Sequence, residues 1–410
     1  MGNLRPEEFV SEEIISVISN LKQNFELRNI TKLITKDTNN RDIGFIDLVM
    51  EGGGVKGIAT VGAIFALEQL GLRFRKVAGT SAGAINASFL AVGNDPRSEK
   101  SFHQLNILAN KNFFDFVDGG NDAQTLVKDF GNKNSGLLKR IISGLRNALD
   151  IWNRYGINPG DEFRKFINDA LMQLNNDKPF TVAELKHTQF QNQKILINNS
   201  PLVTDFQLVV SDVSYEDKSI FPKDLPAYVI NDDRILVGDL VRASMSIPFF
   251  FEPFLLSQFT GQSNLKDNED IVFVDGGVVS NFPLAIFDSG RNSNSGDYKK
   301  PQCPTFGLLI DEKLGTPRKP NSFSNLFKFS IAVFGTASEY GDKSYIKENP
   351  HAQERIIRIS NEVGNGLKIG TTDFDVSDED KKKLFKNGVD AVVSKLKNWN
   401  FDDYIKKFRS

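Results

Sequence analysis

The strongest constraint on this chain is the local order between Phe45 and Val92. An apolar run, FIDLVM from Phe45 to Met50, passes almost at once into Gly52-Gly53-Gly54-Val55-Lys56-Gly57. A short apolar run bounded by glycines predicts a buried strand. Gly57 to Leu70 then predicts a helix, with Gly71 placed as its stop. Phe74 to Ala78 predicts a second strand, and Ala82 to Val92 a second helix closed by Gly93. Strand, glycine loop, helix, strand, tight turn, helix is the grammar of a parallel α/β sheet. With 410 residues, there is room for two or three domains, or for one α/β domain with large insertions.

The flanks are less regular. Pro6 to Ile34 reads as mostly helical, with Phe9, Ile14, Ile15, Ile18 and Leu21 at helical spacing, and Lys36 to Arg41 is a polar break. Downstream, Asp161 to Leu174 and Ile235 to Ser244 predict helices, and Lys194 to Ile197 and Phe206 to Val210 predict strands. So do Ile271 to Val274, Thr305 to Ile310 and Arg355 to Ile359. Asp378 to Trp399 reads as a closing helix, and Gln258 to Asp270 and Ser289 to Lys300 as surface insertions. Two further helices carry apolar faces: Gly136 to Tyr155, with Leu149, Trp152 and several arginines, and the aromatic-rich Ser322 to Phe334. Each is read as a core-facing amphipathic helix or as a surface that meets lipid.

Composition excludes several chemistries. Lys and Arg total 50 against 52 Asp and Glu, a net charge of -2. No basic field for nucleic acid exists, so no nucleic-acid partner is expected. Cys303 stands alone, so there is neither an internal disulfide nor a cysteine zinc site. His103, His187 and His351 are far apart and form no metal-binding pair. No metal and no cofactor is expected. The N-terminus has acids before its apolar residues and lacks a signal-peptide pattern. The most apolar stretch, Ile247 to Leu256, is broken by Pro248, Glu252 and Pro253 and falls short of the ~20 residues that span a bilayer. A cytoplasmic protein, or one peripheral at membranes, is the expectation. The 34 phenylalanines point mainly to a Phe-rich core.

Three short motifs carry chemistry. The glycine loop opens a helix, where free N–H groups and the positive dipole end receive an anion, either a phosphate or a developing oxyanion. A dinucleotide reading needs an acid at the end of the second strand, and the residues there are Ala78-Gly79-Thr80-Ser81. The second motif, Gly79-Thr80-Ser81-Ala82-Gly83, matches the GxSxG nucleophile elbow, in which small residues at minus two and plus two let strand and helix approach. Alone, Ser81 also reads as a helix-capping serine. The third, Asp275-Gly276-Gly277, puts a carboxylate at the end of an expected parallel strand, where α/β sites form; alone it also reads as an Asx turn. Together they supply a nucleophile, a base and oxyanion donors from one sheet edge. With no histidine near any motif, a Ser-Asp dyad fits better than a Ser-His-Asp triad.

GGGVKG, GTSAG and DGG, in that order, resemble the patatin-like phospholipase family. The context MEGGGVKGIATVGAIFALEQLG supports this, as do RASMSIPFFFEPF from Arg242 to Phe254 and INPGDEFRKFI with FTVAELK between Ile157 and Lys186. The resemblance covers residues 45–287 and leaves out 1–44. It implies a three-layer α/β/α fold with a central, mostly parallel sheet. Residues 1–44 would then be an N-terminal helical extension and 45–410 the catalytic domain, completed by 288–410. It further implies a lipid acyl hydrolase of phospholipase A type, with Ser81 as nucleophile, Asp275 as base and Gly52, Gly53 and Gly54 forming the oxyanion hole. Lys56, Gly57, Gly79, Gly83, Gly276 and Gly277 are the supporting motif positions. Asp275 is expected to be partly desolvated, because an ordinary carboxylate is a weak base for serine. The implied partner is a membrane phospholipid or other acyl lipid, met by peripheral contact. An acyltransferase using the same dyad and a non-catalytic lipid-binding protein are the alternatives.

Overall fold

The structure, a computed structural model, describes residues 4–93, 95–111, 113–118, 155–267, 269–288, 300–311, 326–370 and 376–409. Among these, nine strands join one sheet. In chain order they are β1 (Ile34–Lys36), β2 (Asp42–Met50), β3 (Leu72–Gly79), β4 (Asp205–Asp212) and β5 (Asp217–Phe221). There follow β6 (Phe254–Leu255), β7 (Val272–Asp275), β8 (Thr305–Asp311) and β9 (Ile356–Ser360). The centre is parallel, in the order β4-β3-β2-β8-β9. β1, β5, β6 and β7 are added antiparallel.

Both faces of the sheet are covered, which is why its strands read as continuous apolar runs rather than alternating ones. From β2, Leu48 and Met50 enter the large core, while Val49 turns to a second core with Ala78, Phe282, Leu284, Ala352 and Ile356. The large core takes in α1 (Glu12–Lys22), α2 (Gly57–Gln69), α3 (Ala82–Ala91), α4 (Asp161–Leu174), α5 (Val237–Ser244) and, beyond α6 (Leu326–Glu348), α7 (Asp378–Leu396). Every residue of α2 from Ile58 to Glu68 is buried, as befits a helix apolar on all sides. It crosses α7 at glycine contacts: a Cβ on Gly62 would lie 2.0 Å from the Phe385 carbonyl oxygen, and one on Gly388 2.0 Å from that of Ala59. Phe9, Ile14, Ile18 and Ile30 from the N-terminal segment belong to the same core. Phe45, Phe206, Phe250, Phe306 and Phe385 are fully enclosed, so much of the phenylalanine excess is core.

The strand ending in Asp275 is antiparallel, not parallel as expected. A four-residue apolar run carries no information about direction. Its partner, β4, pairs with β5 along Leu208–Asp212, with β3 along Asp205–Leu208 and with β7 along Val210–Asp212. Leu208 thus has β3 on one edge and β5 on the other, and Val210 has β7 opposite β5. β3 and β7 therefore share one edge of β4 and run head-on toward each other. Gly79 lies opposite Leu208 and Asp275 opposite Val210, a separation of about 7 Å along the strand direction.

Smaller differences have local causes. Gln258–Asp270, read as an insertion, contains most of the helix Leu256–Thr260 and a turn whose Leu265 is buried. The strand expected at Lys194–Ile197 shrinks to Leu196–Ile197, paired with Ser200–Pro201. A helix at Val182–Asn192, the strand β5 and α8 (Phe401–Phe408) were not expected. The helix read at 136–155 lies outside the described residues except for Tyr155, as does loop 289–300 except for residue 300. Of the helix read at Ser322–Phe334, residues 322–325 also lie outside; the rest opens α6, which continues to Glu348.

Candidate active site

Met50 and Gly79 are register partners at the ends of β2 and β3, so the glycine loop and the Ser81 turn leave the sheet side by side. The turn between β3 and α3 is as tight as the sequence pattern requires. A Cβ on Gly79 would lie 2.3 Å from the Gly83 backbone, and one on Gly83 would lie 2.3 Å from the Met50 carbonyl oxygen. Only glycines let strand and helix meet at that distance. Ser81 is held at φ 54° and ψ -123°, a region that L residues occupy at a cost of about 1–3 kcal/mol and that clusters at functional sites. Its N–H donates to Ser244 Oγ at 3.0 Å, and Ser244 Oγ donates to the Val209 carbonyl at 2.7 Å. The Ser81 hydroxyl donates to Met245 Sδ at 3.1 Å. Thr80 Oγ1 reaches the Ser280 carbonyl at 3.0 Å, tying the Ser81 turn to the loop after Asp275.

Asp275 is buried and fixed by its backbone. Its N–H donates to the Ser246 carbonyl at 2.9 Å, and its own carbonyl accepts from Ser211 Oγ at 2.8 Å. Oδ1 accepts from the Gly277 N–H at 2.6 Å, so the Asx turn is present too. Oδ2 is buried and has no hydrogen-bond partner among the described residues. Burial pushes the carboxyl up to about 7; the neighbouring Ser81 hydroxyl and the Gly277 N–H pull the other way and are outweighed. The desolvation expected of this residue is therefore present. Gly276 permits close approach: a Cβ there would lie 2.1 Å from the Val209 carbonyl oxygen.

The glycine loop divides its amides. The Gly52 N–H donates to the Asn281 carbonyl at 3.0 Å, so this glycine, grouped above with the oxyanion donors, has its donor engaged. The Gly53 and Gly54 N–H groups have no partner among the described residues. Gly54 is left-handed at φ +55°, and Gly53 lies at φ -161° and ψ 11°. Lys56 is buried, with its stem packed on Gly53. Gly57 has ordinary room and accepts from Asn86 Nδ2 at 3.3 Å. Beside Gly54 and Ala82 a small, mostly apolar cleft of about 70 Å³ opens, walled by Ile58, Ile85, Leu108, Phe116 and Phe166.

None of the three histidines pairs with Ser81 or Asp275. His351 lies against Arg409 and Tyr345, and His187 against Gln191. Among the described residues, no cluster of His, Cys, Asp or Glu is placed to hold a metal ion, and no helix is long and apolar enough to cross a membrane. Motif reasoning missed a supporting set: Ser244, Met245 and Ser246 on one side, Asn281 and Asp342 on the other. Ser244–Ser246 lie inside the RASMSIPFFFEPF stretch, so that signal was present but unassigned. Buried Arg242 holds them, donating to Ser246 Oγ at 2.6 Å and to the Pro159 and Glu252 carbonyls. Burial lowers its pKa to about 10.

A strained strand-to-helix serine beside a buried carboxylate, at the edge of a mostly parallel sheet, defines an α/β hydrolytic scaffold of the nucleophile-elbow kind. The model of the family described as patatin-like phospholipase matches residues 48–288. The chain belongs to that family, whose members are lipid acyl hydrolases. It is 30% identical over 357 residues to the protein YqhO of Bacillus subtilis, covering 87% of this chain and all of that one. It is also 27% identical over 255 residues to triacylglycerol lipase 4 of Saccharomyces cerevisiae, covering 60% of this chain and 23% of the lipase. Among solved structures, VipD of Legionella pneumophila is 17% identical, with a TM-score of 0.43, covering 93% of this chain and 73% of that one. ExoU of Pseudomonas aeruginosa, solved in complex with SpcU, is 16% identical, with a TM-score of 0.36, covering 89% of this chain and 53% of that one.

Proposed function

We propose that this protein cleaves acyl-ester bonds of lipids through a Ser81–Asp275 dyad and an acyl-enzyme, with membrane phospholipids as the substrate class. The observation that carries the reading is the pairing of a strained, buried serine with a carboxylate whose Oδ2 has no partner among the described residues and whose pKa near 7 suits a base. The Ser81 hydroxyl, which neighbours the Asp275 carboxyl, turns from Met245 Sδ to donate to that carboxylate. Asp275 accepts the proton as Ser81 Oγ bonds to the ester carbonyl carbon, and the carbonyl oxygen becomes an oxyanion. The N–H groups of Gly53 and Gly54 receive it; loss of one such donor typically lowers the rate about 10²–10³-fold. The C–O bond to the head-group side breaks, and that oxygen leaves with the proton from Asp275. Water then gives one proton to Asp275 and bonds as hydroxide to the acyl carbon; the bond from that carbon to Ser81 Oγ breaks, Asp275 returns the proton to Oγ, and the fatty acid leaves.

The cleft beside Gly54 and Ala82 is the entry for the acyl chain, because its walls are apolar and it adjoins the proposed oxyanion donors. The substrate is drawn from a lipid surface by peripheral contact, and the chemistry needs no metal or cofactor. The test is mass spectrometry of products from phosphatidylcholine and triacylglycerol emulsions, with wild type beside Ser81→Ala and Asp275→Ala. Fatty acid release by wild type alone supports the proposal. Full activity in either folded variant would refute the dyad, and release from triacylglycerol only would refute the phospholipid assignment.

A further inference from the structure

Asn281 holds the glycine loop with three contacts. Its carbonyl accepts the Gly52 N–H at 3.0 Å, its Nδ2 donates to the Gly52 carbonyl at 3.0 Å, and Nδ2 also reaches Glu51 Oε1 at 3.3 Å. Glu51 Oε2 in turn accepts the Ile310 N–H of β8 at 2.6 Å. The fit is close: a Cβ on Gly52 would lie 2.3 Å from Asn281 Oδ1. The Gly52 carbonyl and the Gly53 N–H belong to one peptide unit. That unit is planar and trans, so the two groups point in opposite directions. Holding the carbonyl on Asn281 therefore aims the Gly53 N–H away from Asn281.

Asn281 is itself held from outside the three motifs. Asp342 on α6 accepts from Ser280 Oγ at 2.8 Å and from the Phe282 N–H at 2.7 Å, bracketing Asn281 on both sides. Burial raises the pKa of this carboxyl, and the Phe282 N–H, the Ser280 hydroxyl and the Asn281 N–H oppose that rise. From α6 to the glycine loop the contacts are thus continuous and polar: Asp342, the Ser280–Phe282 backbone, the Asn281 side chain, and the peptide of Gly52 and Gly53.

We infer that Asn281 and Asp342 are positioning residues for the oxyanion donor, with Asn281 fixing the direction of the Gly53 N–H and Asp342 fixing Asn281 from α6. This rests on the proposed role of Gly53. A structural clamp alone would alter stability or substrate binding. A positioning role lowers the rate of the step in which negative charge develops and leaves the base unchanged.

The experiment uses the full chain with a short-chain acyl ester and a fluorophosphonate that labels Ser81, comparing wild type, Asn281→Ala, Asp342→Asn and Ser81→Ala. For Asn281→Ala, kcat is expected to fall about 10- to 100-fold, with KM within about twofold. The labelling rate should fall by the same factor, and the midpoint of the pH–rate profile should not move. Asp342→Asn should show the same pattern with a smaller loss, and it carries the test if Asn281→Ala does not fold. Wild-type kcat in a folded variant, a loss confined to KM, or a shifted pH midpoint would overturn the inference. Retained hydrolysis by Ser81→Ala would instead bring down the dyad, so the two failures are distinguishable.

Discussion

Replacing Asp275 by Asn separates what the site costs from what it does. In the folded chain the carboxyl titrates near 7, against an ordinary value of 3.8, because burial penalises its charge. A raised carboxyl pKa means that the folded state binds more protons than the unfolded state between about pH 4 and pH 7. Stability is therefore fully retained below the unfolded pKa and is lost as pH rises through that window. Above pH 7 the whole penalty is present: roughly three pKa units, or about 4 kcal/mol at 1.36 kcal/mol per unit. Asn keeps an acceptor for the Gly277 N–H and carries no charge. Asp275→Asn should match wild type in urea unfolding at pH 4 and exceed it by several kcal/mol at pH 8, while losing ester hydrolysis at both. A stability difference independent of pH, or wild type the more stable at pH 8, would refute this account of Asp275.

Three further outcomes follow from the same geometry. Ser81→Gly should abolish hydrolysis yet stabilise the fold by about 1–3 kcal/mol, since glycine takes φ +54° without strain; thermal denaturation beside Ser81→Ala separates this gain from loss of the hydroxyl. Gly79→Ala, whose Cβ would lie 2.3 Å from the Gly83 backbone, should destabilise by about 3 kcal/mol or more, read as lost soluble yield or a lowered unfolding midpoint. Ile85→Trp narrows the apolar cleft and should shift preference toward shorter acyl chains in an ester series; an unchanged profile would place the acyl chain elsewhere.

The sequence made local features legible and long-range ones obscure. The βαβα unit from Phe45 to Val92 was readable because its glycines fall where backbones must meet, and Gly79 and Gly83 meet as their spacing implied. Asp275 was readable as a candidate carboxylate but not as the end of an antiparallel strand. The direction of β7 shows only in its pairing with Val210–Asp212 of β4, on the edge that β3 also uses. Asn281 lies six residues from Asp275 and carried no motif of its own, because its role comes from the Gly52 backbone across the sheet edge. Asp342 was invisible for the same reason: a carboxylate on a long helix reads as solvated until its partners are known. The strand β5, DKSIF, failed as a pattern because Asp217 and Lys218 open it charged and exposed and only Ile220 and Phe221 are apolar. The division of donors within the glycine loop depends on the fold, since nothing in the letters says that the Gly52 N–H is engaged while those of Gly53 and Gly54 have no partner among the described residues.

The most direct test of the central claim is to trap the acyl-enzyme. Wild-type protein is mixed with an excess of a slowly deacylating long-chain ester, quenched in acid and digested, and the peptide spanning Ser81 is weighed by mass spectrometry. An acyl adduct on Ser81 is expected to form faster as pH rises through about 7, the range in which Asp275 ionises, and to be absent from Ser81→Ala. Undiminished ester hydrolysis with no adduct at Ser81, or hydrolysis that survives Ser81→Ala, would contradict it.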